Sequence, residues 1–155
     1  MKPTCKINYR GDKWWLIGSN LHREDGPAIE YIIGEKHWYI NDKRHRADGP
    51  AIEFADGTKQ WFINGKCHRE DGPAYEHING DKQWFLNALR HREDGPAIEY
   101  ADGQKEWWVN GEYHREDGPA IEWANGYKAW YYHGKQIDCK DNQEFLRIVK
   151  LMAFL

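Results

Sequence analysis

Short apolar runs such as Trp61-Phe62-Ile63 alternate along the chain with clusters of turn-forming residues, and the alternation is periodic. Trp15, Trp38, Trp61, Trp84, Trp107 and Trp130 keep a constant 23-residue step, and His22, His45, His68, His91 and His114 keep the same one. Runs this short, bounded by Gly, Asn and Asp, read as strands. Asp56-Gly57, Asn79-Gly80, Asp102-Gly103 and Asn125-Gly126 carry the two-residue type I′ signature of a hairpin tip. A second tip follows at Asn64-Gly65 and Asn110-Gly111, with weaker versions at Asn41-Asp42, Asn87-Ala88 and His133-Gly134.

A two-residue loop at Asp56-Gly57 predicts that Ile52 lies opposite Trp61, Phe54 opposite Lys59, and Ala51 opposite Phe62 on the other side of the pleat. One face is then Ile, aromatic and Trp. The second face sets Leu16, Tyr39, Phe62, Phe85, Trp108 and Tyr131 beside Ala28, Ala51, Ala74, Ala97 and Ala120. A loop at Asn64-Gly65 places His68 against Trp61, a pairing that the last repeat breaks with Ile137. Between tips, His68-Arg69-Glu70-Asp71-Gly72-Pro73-Ala74 and its near-copies interrupt the returning strand, because Pro lacks a backbone donor and Gly tolerates positive φ. A bend or bulge is predicted there, with Asp bonding nearby amides and Arg pairing with a neighbouring Glu. At the amino end, Ile7 to Trp15 reads as a partial unit one residue short at its turn, and so as a cap.

After Gly134 the period stops. Asp141 reads as an N-cap with Glu144 three residues on, and Phe145, Ile148, Val149, Met152 and Leu155 then fall on one helical face. The predicted architecture is all-β. Tandem β-hairpin repeats form one elongated, twisted antiparallel sheet of roughly a dozen short strands over residues 1–140, and an amphipathic capping helix over 141–155 protects the last hairpin.

The run Lys59-Gln60-Trp61-Phe62-Ile63-Asn64-Gly65-Lys66-Cys67-His68, followed by a small-residue bend and Ala74-Tyr75-Glu76, resembles the MORN repeat, and the resemblance covers residues 7–137. It implies a succession of β-hairpins used for assembly, scaffolding or protein binding, in some members at membranes. Here His-Arg-Glu-Asp-Gly-Pro-Ala stands where the usual repeat has a shorter His-Gly-x-Gly. This variant is similar to repeat proteins of bacteria and large bacteriophages, down to an ending of the kind seen at Glu144 to Leu155. Related variants carry an antitoxin-like label, which implies an inhibitor of antitoxin or counter-defence type, acting in the host cytoplasm if phage-encoded.

Composition narrows the partners. Nine Trp among 155 residues make the buriable surface unusually aromatic, and 40% hydrophobic content argues against disorder. A net charge of −3 provides no general field for nucleic acid or anionic membrane. Cys5, Cys67 and Cys139 lack CxxC spacing and do not follow the repeat, so neither a disulfide framework nor a zinc site is indicated. With no apolar run of signal-peptide or membrane-span length, the expectation is a soluble, cytoplasmic protein.

The five His-Arg clusters suggest acid–base chemistry, but a residue set that recurs in every unit is solving one folding problem repeatedly. No enzyme, cofactor or metal is therefore expected. Equivalent His residues two strands apart are about 9–10 Å apart, too far to share a zinc ion. Four of the five clusters carry more acid than base, which disfavours nucleic acid. The candidate binding surface is the second face, through Tyr39, Phe62, Phe85, Trp108 and Tyr131, with large rings beside Ala leaving shallow grooves for a protein partner. Departures from the repeat at Tyr75, His77 and Ala88-Leu89 would confer specificity. A second reading has Trp and Arg, with Arg69 and Arg92 foremost, sequester an anionic aromatic ligand such as a nucleotide. A third, a scaffold or membrane-surface module, predicts homo-oligomers or lipid binding.

Overall fold

The computed structural model describes residues 1–152, so the predicted position of Leu155 on the helix lies outside the described residues. The chain forms two compact units, Met1–Ile78 and Asn79–Leu155. Each is a run of antiparallel hairpins, and the second ends in a helix. In the first unit the strands Thr4–Ile7, Lys13–Ile17, Ile29–Glu30, Lys36–His37, Ile52–Glu53, Lys59–Gln60 and Tyr75–Glu76 lie side by side in that order. In the second unit the order is Lys82–Gln83, Ile98–Glu99, Lys105–Glu106, Ile121–Glu122, Lys128–Tyr132 and Lys135–Ile137. Smaller hairpins hang from these sheets, for example Phe62–Ile63 paired with Lys66–Cys67.

Strands are more numerous than expected because each apolar run does two jobs. Lys59–Gln60 pairs with Ile52–Glu53 and Tyr75–Glu76, whereas Phe62–Ile63 pairs only within its own small hairpin, so Trp61 is the joint between two strands.

The tips correct the expected register. At the Asp-Gly tip, the Phe54 amide donates to the Thr58 carbonyl at 2.9 Å and the Gly57 amide to the Phe54 carbonyl at 3.0 Å. Gly57 alone has positive φ, +94°, and the Thr58 amide is held by Asp56 Oδ1 at 2.8 Å. This is a three-residue loop, a type I turn closed by a left-handed Gly, rather than type I′. The extra residue shifts the pairing by one: Ile52 faces Gln60 and Glu53 faces Lys59. Trp61 therefore shares a face with Ala51 and Ala74, and Ile52 shares the other with Phe62, the reverse of the predicted sets. The first unit's opening hairpin has the same loop, with Asn8 and Asp12 closing around Gly11 at +95°, so it is not one residue short. The two-residue turns are the second tips, where both central residues have positive φ: Asn64 and Gly65 at +51° and +82°, and even Asn87 and Ala88 at +51° and +71°.

One row on the Trp face is a ladder of opposite charges. In the first unit it runs Lys13, Glu30, Lys36, Glu53, Lys59, Glu76, and in the second Lys82, Glu99, Lys105, Glu122, Lys128. Cross-strand pairs of this kind each contribute a few tenths of a kcal/mol, up to about 1, and fix register by penalising a slip that would set like charges opposite. Beside them Ala28, Ala51, Ala74, Ala97 and Ala120 are completely buried. These alanines therefore lie on the Trp face rather than the second face, each directly across from a Trp whose amide its carbonyl accepts, as Ala74 does from Trp61 at 2.8 Å.

The helix Asn142–Met152 begins as predicted, with Asp141 Oδ1 accepting from the Glu144 amide at 2.9 Å. Glu144 reaches back to the Lys140 amide at 3.0 Å. Phe145 is wholly buried, and Ile148, Val149 and Met152 are half-buried.

Candidate functional site

The returning segment His-Arg-Glu-Asp-Gly-Pro-Ala is a lid over the indole. In every copy the guanidinium carbon lies over the Trp ring of its own repeat, at 4.0 Å for Arg23 on Trp15, 4.1 Å for Arg46 on Trp38, 4.2 Å for Arg69 on Trp61, 4.1 Å for Arg92 on Trp84 and 4.0 Å for Arg115 on Trp107. Arg69 shows how it is held: Nε donates to Asp71 Oδ1 at 2.8 Å, and Nη1 donates to the Pro73 carbonyl at 3.2 Å and to Glu76 Oε1 at 3.0 Å. The bond from Arg69 holds the Asp71 carboxyl below its ordinary value, and Arg23 and Arg92 do the same for Asp25 and Asp94.

The Gly of the motif has a different role from the one predicted. Gly26, Gly49, Gly72, Gly95 and Gly118 do not adopt positive φ. A Cβ on Gly72 would stand 2.9 Å from Arg69 Cζ, and the other four meet their own Arg at 2.9–3.0 Å. The residue is Gly because the guanidinium occupies the space a side chain would need.

The predicted pairing of His68 with Trp61 holds along the backbone, where the His68 amide donates to the Trp61 carbonyl at 3.1 Å. The imidazole is used elsewhere. The Asn41 amide donates to His22 Nδ1 at 3.3 Å, and the Asn64 and Asn110 amides reach His45 and His91 Nδ1 at 3.2 Å. The same Nδ1 stands 2.8 Å from Asn41 Oδ1 in His22, 3.0 Å from Asn64 Oδ1 in His45 and 3.1 Å from Asn110 Oδ1 in His91, so each ring nitrogen meets both the amide and the side chain of its Asn, and Nε2 of His22 faces Glu24 at 3.6 Å. In the last copy the His133 amide binds His114 Nδ1 at 3.0 Å, and burial, with His133 nearby, holds the His114 imidazole below its ordinary value. Each of these four imidazoles splices its hairpin to the next I′ tip.

The second-face residues form ring stacks rather than free rings. Tyr39, Phe62, Phe85, Trp108 and Tyr131 are all half-buried. In the first unit Arg44 inserts between Tyr39 and Phe62, at 5.8 and 5.5 Å. In the second, Arg90 lies between Phe85 and Trp108, at 5.8 and 5.2 Å. Both Nε atoms are buried without a hydrogen-bond partner. Tyr113 continues the second stack, 3.7 Å from Trp108 and 5.0 Å from Tyr131. Glu106, buried there, accepts from Trp108 Nε1 at 2.9 Å and the Tyr113 hydroxyl at 3.0 Å. The Tyr113 hydroxyl is pushed well above the ordinary phenol range by burial and by Glu106. Cys67 pairs with Phe62 as Tyr113 does with Trp108, its thiol pushed up to about 11 by burial. Of the variant positions, Tyr75 and His77 stack on each other at 5.9 Å, and Ala88-Leu89 belongs to a tip.

Sequence reasoning missed the open clefts on the Trp face, between successive lids. One, of about 670 Å³, is walled by Arg23-Glu24-Asp25-Gly26 and His45-Arg46-Ala47-Asp48 over a floor of Trp38 and Ile40. The next, about 860 Å³, repeats the plan over Trp61 and Ile63, and in the second unit one of about 800 Å³ lies over Trp107 and Val109. The rims are acidic. Glu24, Asp25, Asp48, Glu70 and Asp71 in the first unit, and Glu93, Asp94, Glu116 and Asp117 in the second, expose 75–86% of their side chains. The periodic pattern of exposed carboxylates flanking a Trp-x-Ile floor was the available signal.

Among the described residues no group of three His, Cys, Asp or Glu side chains is disposed to hold a metal ion, and no helix is long and apolar enough to cross a membrane. Comparison with protein-family models and with curated proteins finds no match.

Proposed function

We propose that the chain is a non-enzymatic, protein-binding module of the MORN-like kind, engaging an extended partner through a surface built by repetition. The observation that carries this reading is the recurrence of one cleft: the same apolar floor and acidic rim return over Trp38, Trp61 and Trp107. Equivalent sites in series favour avidity for a segment that presents the same feature repeatedly, where each weak contact raises the effective concentration of the next. The His and Arg side chains that suggest catalysis are taken up by the fold: the imidazoles are hydrogen-bonded to the Asn of the next tip, and each guanidinium is stacked and hydrogen-bonded. For the same reason, sequestration of a nucleotide by Arg69 and Arg92 draws less support, since each guanidinium already serves an Asp, a Glu and a Pro carbonyl. The inhibitor reading, in which the module masks its target, adds to this the resemblance of the repeat.

The test is capture from a lysate of the native host, with identification by mass spectrometry, using the wild-type protein, a rim variant Glu24→Gln/Glu70→Gln/Glu93→Gln/Glu116→Gln, and the second-face variant Phe62→Asp/Trp108→Asp. A stoichiometric partner lost with the rim variant supports the reading. A partner lost only with the second-face variant moves the interface to the ring stacks, and the absence of any partner contradicts a protein-binding role.

A further inference from the structure

We infer that the clefts of the first unit take a cationic segment in polyproline II conformation with Lys or Arg at every third position. The inference rests on the protein-binding reading and names the chemistry of its partner. Successive floors begin at Trp38 and Trp61, which directly follow Lys36–His37 and Lys59–Gln60, and these two strands are separated by one intervening strand, Ile52–Glu53. Two steps across a sheet are about 9.4–9.8 Å. A polyproline II segment returns to the same side every third residue, about 9.3 Å further on, whereas an extended strand does so at about 6.6–6.8 Å. Only the former drops consecutive side chains into consecutive clefts while its backbone crosses the intervening lid.

Charge selects the side chain. The cleft over Trp38 is rimmed by Glu24, Asp25 and Asp48, and the one over Trp61 by Asp48, Glu70 and Asp71. The lid arginines are not free to neutralise an incoming anion, because they lie on the indoles. Each Asp accepts on Oδ1 from its Arg, and Glu24 and Glu70, their side chains 84–85% exposed, each stand 3.6 Å from the imidazole of their own lid. A Lys or Arg rests its aliphatic stem on the Trp and Ile floor and carries its charge to the rim. Over Trp15 and Ile17 the cleft of about 500 Å³ is lined on one side by Met1-Lys2-Pro3, a Lys-Pro pair, and on the other by the acidic Glu24 and Asp25.

The test is fluorescence anisotropy with a labelled peptide of about five Lys-Pro-Pro triplets, against a peptide of identical composition with its lysines clustered, and against a Glu-Pro-Pro peptide. The expected result is binding of the triplet peptide about tenfold or more tighter than the clustered one, weakening as salt rises from about 50 to about 200 mM. The Glu24→Gln/Glu70→Gln protein, confirmed to keep the wild-type urea midpoint, should lose about fivefold or more in affinity. Equal binding of the two lysine peptides, or none by any, overturns the inference. If none of the peptides binds while a rim-dependent partner is still captured from lysate, the cationic-segment chemistry fails and the protein-binding reading stands. If neither occurs, both fail.

Discussion

Trp61 and Trp130 occupy equivalent positions on the Trp face of their own units, yet they are covered by different means. Over Trp61 lies a guanidinium from the same repeat, pinned by Asp71, Pro73 and Glu76. At Trp130 the repeat has run out: Ile137 stands where His would be, Asp138 where Arg would be, and the terminal helix supplies Asn142, whose Oδ1 accepts from the indole Nε1 at 3.3 Å. Asn142 Nδ2 donates in turn to the carbonyl of Asp117 in the preceding lid at 3.0 Å, the buried Ile137 is the cross-strand partner of Trp130, and the helix buries Phe145 completely. An internal repeat can be finished by one flat, charged side chain that stays wet at its edge. The last one is finished by a helix that brings a dry core of its own.

The comparison breaks most easily at the helix. Phe145→Ala empties a fully buried site and should cost about 3–5 kcal/mol in urea denaturation. Trp61→Ala removes an indole that is half-buried under Arg69, and about 2–4 kcal/mol is expected from the same measurement; a change near zero would refute its place in the core. Gly72→Ala forces the guanidinium off its indole and should cost about 1–2 kcal/mol, although it buries nothing new and removes no contact of its own. Glu70→Gln, on the open rim, should leave the urea midpoint within about 0.5 kcal/mol of wild type. The smallest effect is a pH dependence. Because burial and His133 lower the pKa of His114 below 6.5, the unfolded chain takes up that proton first, so its stabilisation is complete above pH 6.5 and is lost as pH falls below it. His114→Asn should flatten that slope in midpoints recorded at a series of pH values.

The repeat, its hairpins and the start of the helix were legible because each is written in local chemistry: a fixed step of Trp and His, Asn-Gly tips, and Asp141 three residues before Glu144. The Trp61–His68 pairing followed from a tip whose two residues both take positive φ. The register at Asp56-Gly57 was not legible, since Asp-Gly suits both a two-residue turn and a type I turn closed by Gly, and only the longer loop lets Ala51 and Ala74 flank the large indole. The role of Gly72 was hidden for a related reason. A missing Cβ and a permitted positive φ are the same letter in a sequence, and what distinguishes them is Arg69, three residues away in the chain but directly above in space. The clefts were missed because exposed Glu and Asp beside Arg read alike as local pairs, whereas the Arg, held by its Asp, lies over the Trp and the Glu faces outward.

The central claim is that each Gly, Arg and Trp of the lid form one structural device. A double-mutant cycle on Gly72→Ala and Arg69→Ala, read as urea unfolding free energies, tests it most directly. The account predicts that Gly72→Ala is costly in the wild type and close to neutral once Arg69 is Ala, a coupling of about 1 kcal/mol or more. Costs that simply add in the double variant would contradict it, and would return the Gly to an ordinary turn residue.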